Sequence, residues 1–220
     1  LCQRLFMATG DAQYLDVLER GLYNNAVDGV GLSGNRFFYV NRLASAGDGR
    51  DARWASASLE CCPPNLARFF ASMPAFIYAQ DTRTQAIYVN LYVSSRTSFT
   101  LRSGTIALDV ESDMPWEGRT RVKVATSSRT HAAIKLRMPG WTRNRPAPGG
   151  LYRYLDRSDA SPAITVNGTA VSPTPDKLGY VTIDRVWAEG NVIAIDFPMP
   201  PRKVVTDDRV ADNRRRVAIE

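Results

Sequence analysis

The spacing of apolar residues changes near residue 80. Before that point the period is helical. Leu1, Leu5 and Phe6 form an apolar stripe with no capping residue ahead of it, so the chain reads as opening inside a helix. Asp11 can cap a second helix, whose Leu15, Leu18, Leu22 and Ala26 follow the three-and-four spacing. Gly29 and Gly31 are expected to end it. A further helix is expected from Pro63 or Pro64, where a missing amide costs nothing because first-turn amides have no intrahelical partner. It would run through Leu66, Phe69, Phe70 and Met73, and Pro74 would kink or end it.

After residue 80 the period becomes two. Ile87, Val89, Leu91 and Val93 alternate with Tyr88, Asn90 and Tyr92, which predicts one buried face and one aromatic or polar face. Similar runs follow at Ile106-Leu108-Val110, Val122-Val124, Ile134-Leu136-Met138, Val181-Ile183 and Val192-Ile193-Ile195. Turn material separates them: Trp116-Glu117-Gly118, Pro139-Gly140, the Pro- and Gly-rich stretch 144–150, and Asn167-Gly168, a strong hairpin signal because both residues tolerate positive φ. Short strands with this punctuation predict an antiparallel β-sandwich. The expected architecture is therefore the last helices of an α-helical domain followed by that sandwich, with no internal repeat. The chain closes on Val217-Ala218-Ile219, which reads as the start of a strand. Both ends look cut, so the chain is expected to be part of a larger protein, with any targeting signal outside it.

Composition narrows the function classes. With 44% hydrophobic and 23% charged residues in 220, the chain has the balance of an ordinary globular protein with a real core. No stretch reaches the ~18 apolar residues of a membrane span, and no membrane partner is expected. The formal charge is +6, but the basic residues are dispersed apart from Arg214, Arg215 and Arg216. A nucleic-acid partner is not expected either, because it would call for a clustered basic patch with interleaved aromatics. Three cysteines, two of them adjacent, make no disulfide framework and leave the compartment open.

The most unusual local feature is Glu60-Cys61-Cys62-Pro63-Pro64-Asn65. Adjacent cysteines hardly bond to each other without a strained ring, so they are buried small hydrophobes or else ligands and nucleophiles. A position just before a helix favours chemistry, since free amides and the helix dipole lower a thiol pKa there. The residues alone leave both readings open. A zinc site cannot be completed within the chain, because Cys2 is the only other cysteine and His131, in the β-rich half, the only histidine. Blander readings suit the remaining candidates. Glu60 reads as a loop carboxylate, His131 as a surface residue and Tyr39 as a core aromatic. Trp116, Trp141 and Trp187 could form a sugar platform but are expected in the core. Asn167-Gly168-Thr169 fits the glycosylation pattern, but the hairpin is the simpler reading.

Taken together, Leu18-Glu19-Arg20 with Leu22-Tyr23-Asn24, then Phe37-Phe38-Tyr39-Val40-Asn41, then Cys61-Cys62-Pro63-Pro64-Asn65, resemble successive blocks of glycoside hydrolase family 127 in order and spacing. Pro139-Gly140-Trp141, Val166-Asn167-Gly168 and Pro198-Met199 resemble its β domain, so the match spans essentially the whole chain. The double-cysteine, double-proline block is the specific one. The resemblance implies an α + β multidomain protein. Residues 1–79 would be the C-terminal part of an α/α-toroid catalytic domain of six-hairpin type, 80–206 an antiparallel β-sandwich, and 207–220 the start of a further β segment. It implies a retaining enzyme releasing β-L-arabinofuranose, with Cys61 as nucleophile and zinc ligand and Cys62 as a second zinc ligand. The remaining two ligands, in a Glu-x-Cys block, and the acid/base glutamate would lie upstream of residue 1; Cys2 does not match that ligand cysteine. Tyr39 matches a tyrosine that contacts the sugar. The implied partner is an arabinose-containing oligo- or polysaccharide, and a homodimer is compatible with the family. With half its ligands absent, the 220-residue chain is expected to be inactive alone. The competing readings are a related glycosidase for a different sugar, and a carbohydrate-binding or structural piece with buried cysteines.

Overall fold

The computed structural model describes residues 1–42, 47–49, 52–54 and 61–220. They fall into two compact units: Leu1–Asp16 with Phe76–Glu220, and Val17–Ala75.

The larger unit is built on β-strands. Helix α1 (Cys2–Thr9) ends at Gly10, whose left-handed φ of 71° lets its amide reach the Phe6 carbonyl at 2.7 Å. The Asp11 carboxylate accepts the Gln13 amide at 2.9 Å where α2 (Gln13–Gly21) begins. One sheet has the order β1 (Tyr78–Gln80), β2 (Ile87–Val89), β6 (Thr130–Arg137), β10 (Tyr180–Trp187). A second has the order β3 (Ser95–Leu101), β4 (Gly104–Ser112), β5 (Arg119–Ala125), β11 (Val192–Asp196), β8 (Ala163–Val166), β9 (Thr169–Val171). A third, smaller sheet joins β13 (Ala218–Ile219), β12 (Lys203–Thr206) and β7 (Tyr152–Tyr154).

The alternating residues expected to face inward do so. Ile87, Val89, Ile134 and Leu136 of the first sheet and Ile106, Leu108, Val122, Ile193 and Ile195 of the second share one buried cluster. Asn167 (φ 51°) and Gly168 (φ 81°) turn β8 into β9, as the hairpin signal required. The run from Ile87 does not continue to Val93, because the Asn90 and Leu91 amides both turn to the Ile77 carbonyl (2.8 and 3.3 Å) and carry the chain out of the sheet.

The smaller unit begins within α2. The helix expected through Ala26 changes after Gly21 into a π-helical turn (Leu22–Val27). Gly29 closes the segment by close approach rather than by a left-handed φ, since an added Cβ would lie 2.7 Å from the Asn25 carbonyl oxygen. Helix α3 (Cys62–Ser72) carries Pro63 and Pro64 in its first turn and stops before Pro74, which opens the short α4 (Pro74–Ile77).

These elements correct the expected fold class. The chain is a mostly β, mixed fold with a few short N-terminal helices, not the end of an α/α toroid followed by an antiparallel β-sandwich. Among the described residues the longest helix has 11 residues. The helical periodicity is real, but the α-helices it makes run only two or three turns, α2 giving way to a π-helical turn after Gly21 and α3 stopping before Pro74. The sheet is mixed because β2 pairs in parallel with β6, its next neighbour in the sheet, after the chain has built three strands elsewhere.

One tight contact gives a direct test of this packing. A Cβ on Gly118 would fall on the backbone of Phe197, whose amide donates to the Gly118 carbonyl at 3.0 Å. Gly118→Ala is expected to destabilise the chain by roughly 1–3 kcal/mol, as overpacking against unyielding backbone does. The shift in urea midpoint measures it, and an unchanged midpoint would remove the contact from the account.

Candidate active site

The smaller unit carries the chemistry-bearing residues that the sequence singled out. Cys61 is the N-cap residue of α3 and is exposed, whereas Cys62 is half-buried; both are free thiols. Their Sγ atoms lie 3.3 Å apart, within hydrogen-bonding distance of each other. Asn65 holds the turn, its Nδ2 donating to the Cys61 carbonyl at 2.7 Å. Pro63 and Pro64 have no N–H, so this helix start lacks two of the donors that would otherwise stabilise a thiolate. The bond to Cys61, then burial, then repulsion between the two sulfurs hold the Cys62 thiol above its ordinary pKa. The surroundings of Cys62 thus do not activate its thiol.

Glu60 lies outside the described residues. No group of three or more His, Cys, Asp and Glu that could hold a metal is present among the described residues. His131 lies in the other unit on an exposed strand face, its Nε2 2.9 Å from Asp184 Oδ1.

Tyr39 is not a core residue; it is 44% exposed and stacks on Trp54, with ring centroids 6.0 Å apart and an interplanar angle of 25°. Phe37 and Trp54 exchange backbone hydrogen bonds of 3.1 and 2.8 Å, and this bridge brings the two rings together. Arg53 lies 4.2 Å above the Phe38 ring, and its Nη2 donates to the Asp28 carbonyl at 2.7 Å. The Asp28 carboxylate accepts Asn41 Nδ2 at 3.0 Å. Sequence reasoning did not single out Trp54, Arg53 or Asp28; Trp54 meets Tyr39 through an isolated bridge between segments too short to show periodicity. An Arg-Trp pair following Phe-Phe-Tyr was the only available signal.

The smaller unit thus carries a helix-capping thiol pair and a stacked aromatic pair, and the larger unit is built on β-strands. The chain belongs to glycoside hydrolase family 127: the β-L-arabinofuranosidase GH127 middle domain matches residues 86–199 and the GH127 catalytic domain matches residues 1–75. It is 28% identical to the non-reducing end β-L-arabinofuranosidase of Bifidobacterium longum subsp. longum, over 94% of this chain and 30% of that protein. A GH127 β-arabinofuranosidase of known structure superposes on the whole chain with a TM-score of 0.91 at 39% identity. The GH127 β-L-arabinofuranosidase Ara127N-Se from Geobacillus stearothermophilus T6 does so at 0.83 and 31%. The chain spans 34% and 33% of these two structures, about a third of each relative it matches.

Proposed function

We propose that this chain contributes the nucleophile to a retaining glycosidase that releases β-L-arabinofuranose from glycans. The observation that carries the reading is the exposed Cys61 thiol, held at a rigid helix start 3.3 Å from a second thiol. Family membership and the activity of the named relatives support the substrate class. On this reading residues 1–79 belong to the catalytic part, 80–206 to the β domain and 207–220 to the start of a further β segment.

Two sulfurs 3.3 Å apart can both touch one ion at the about 2.3 Å of a zinc–thiolate bond, and soft thiol donors suit zinc. Cys61 and Cys62 would hold it together with ligands supplied from outside this chain. Zinc, when bound, would keep both thiols deprotonated at neutral pH. Cys61 Sγ attacks the anomeric carbon, the glycosidic C–O bond breaks, and the leaving oxygen takes a proton from a carboxylic acid. Water then displaces the sulfur from the opposite face, so two inversions give retention. Tyr39, supported by Trp54, offers an aromatic face to the sugar.

The test uses the full-length protein with aryl glycosides and an arabinofuranose analogue carrying an electrophile at the anomeric position. Hydrolysis of the β-L-arabinofuranoside, with the label mapped by mass spectrometry to Cys61, is the expected result. Labelling elsewhere would remove Cys61 as nucleophile. Cleavage of a different glycoside alone would move the substrate to another sugar.

A further inference from the structure

Three tryptophans of the β domain were candidates for a sugar platform, and their surroundings separate them. Trp187 is fully buried and donates its Nε1–H to the Ala132 carbonyl at 2.9 Å. Trp141 is half-buried and packs edge-on to Phe197, 5.7 Å between centroids. Trp116 is 87% exposed. That exposure does not come from a loose loop. The Asp113 carbonyl accepts the Trp116 and Glu117 amides at 3.0 and 3.1 Å, and the Asp113 amide donates to the Arg119 carbonyl at 2.9 Å. Arg119 also pairs with the Asp113 and Glu117 carboxylates, and Gly118 is seated on the backbone of Phe197. A fixed turn thus presents a large aromatic ring to solvent.

Asp113 and Arg119, the residues that frame this turn, also line a groove of about 440 Å³ on the outer face of the six-stranded sheet. The register explains the hollow. Long Arg121 on β5 stands opposite small Ala194 on β11, and Ala194 stands opposite Thr165 on β8. Arg121 and Asp196 are exposed at the groove, and among the described residues no ion pair or hydrogen bond engages either side chain. The volume falls in the range of small-molecule sites and suits one or two sugar rings.

The charges select the ligand class. An anion would meet Glu111, Asp113 and Asp196, and a cation would meet Arg119 and Arg121. A neutral polyol suits both signs, because its hydroxyls accept from a guanidinium and donate to a carboxylate. The exposed Trp116 ring, on the turn whose Asp113 and Arg119 line the groove, offers the apolar face that a sugar ring's C–H groups stack on. We propose that the outer face of the six-stranded sheet binds a neutral glycan, with Trp116 as the stacking residue and Arg121 and Asp196 as its hydrogen-bonding pair. The site holds a polysaccharide chain rather than transforming it. That the glycan contains L-arabinose rests on the function proposed above.

The test is retention of the full-length protein in native gels containing neutral polysaccharides, arabinose-rich and arabinose-free, with an anionic polygalacturonate for comparison. Retention by a neutral polysaccharide is expected. Trp116→Ala and Arg121→Ala should each weaken it about tenfold or more, as loss of a dominant contact does, while Trp116→Phe keeps most of it. Both alanine variants change exposed side chains, and an unaltered melting temperature checks that they fold. Retention unchanged in both variants, retention by polygalacturonate alone, or none on any gel would overturn the proposal. The readout needs no hydrolysis, so a protein without arabinofuranosidase activity can still pass, and an active enzyme can still fail.

Discussion

Cys61→Ser in the full-length protein is expected to lower kcat on an aryl β-L-arabinofuranoside by roughly four orders of magnitude or more, while Cys62→Ser lowers it by less. Loss of a covalent nucleophile removes the first chemical step itself, and an alcohol in its place stays protonated at neutral pH where a thiol can ionise. The asymmetry follows from position. Cys61 caps the helix and is exposed, whereas Cys62 lies inside the first turn, is half-buried and has its thiol pKa pushed up. Steady-state kinetics, with circular dichroism to confirm folding, measures both. Equal losses would give the two cysteines equivalent ligand roles and no distinct nucleophile, and full activity in Cys61→Ser would remove that residue from the mechanism.

Arg137→Ala is expected to be the most destabilising single change in the β-rich unit, by about 3–5 kcal/mol. Against the ~5–15 kcal/mol that holds a domain together, this is a large share. Arg137 is fully buried. Its Nε donates to the Asn90 carbonyl at 2.6 Å, and its Nη1 to Asp16 Oδ1 at 2.8 Å. Removing the guanidinium leaves a carboxylate with a 9% exposed side chain short of its cation and an internal carbonyl short of its donor. Lysine cannot reproduce the fork, so Arg137→Lys should recover little. Replacing both partners with apolar residues, Arg137→Met with Asp16→Leu, should be much milder than Arg137→Ala because no charge is stranded. Chemical denaturation of the three variants reads this order directly. A small loss in Arg137→Ala would mean that water reaches Asp16 and Asn90.

The strands were legible because a period of two needs only that one face be buried, and Ile134-Leu136 or Ile193-Ile195 carry that pattern in their own residues. The other face of β2 was not legible. Tyr88 and Asn90 look like a solvent-facing edge, yet Phe6 of α1 packs 5.9 Å from the Tyr88 ring and Tyr180 donates its hydroxyl to Asn90 Oδ1 at 2.7 Å. Asn90 is 1% exposed. Burial of a polar residue is set by a partner some 90 positions away, which no local window contains. The helices misled in the opposite direction, since three-and-four spacing reports a buried stripe but not a length. The α-helix lengths were set where α2 passes into the π-helical turn and where Pro74 follows α3.

At the candidate site the division is similar. Cys61-Cys62-Pro63-Pro64-Asn65 marked a special helix start because residue type and order carry that information. That the two prolines also strip the start of thiolate-stabilising amides follows from the same residues once the first turn is fixed. Trp54 as the ring beneath Tyr39 came only from the bridge between Phe37 and Trp54. The sequence by itself therefore determined which faces are apolar, where turns fall and which residues can do chemistry, since those are properties of side chains and local backbone. Only the tertiary structure decided which polar groups are buried, which tryptophan of three meets solvent, and which strands run parallel. Those are set by contacts between distant segments, whose free energy no single segment contains.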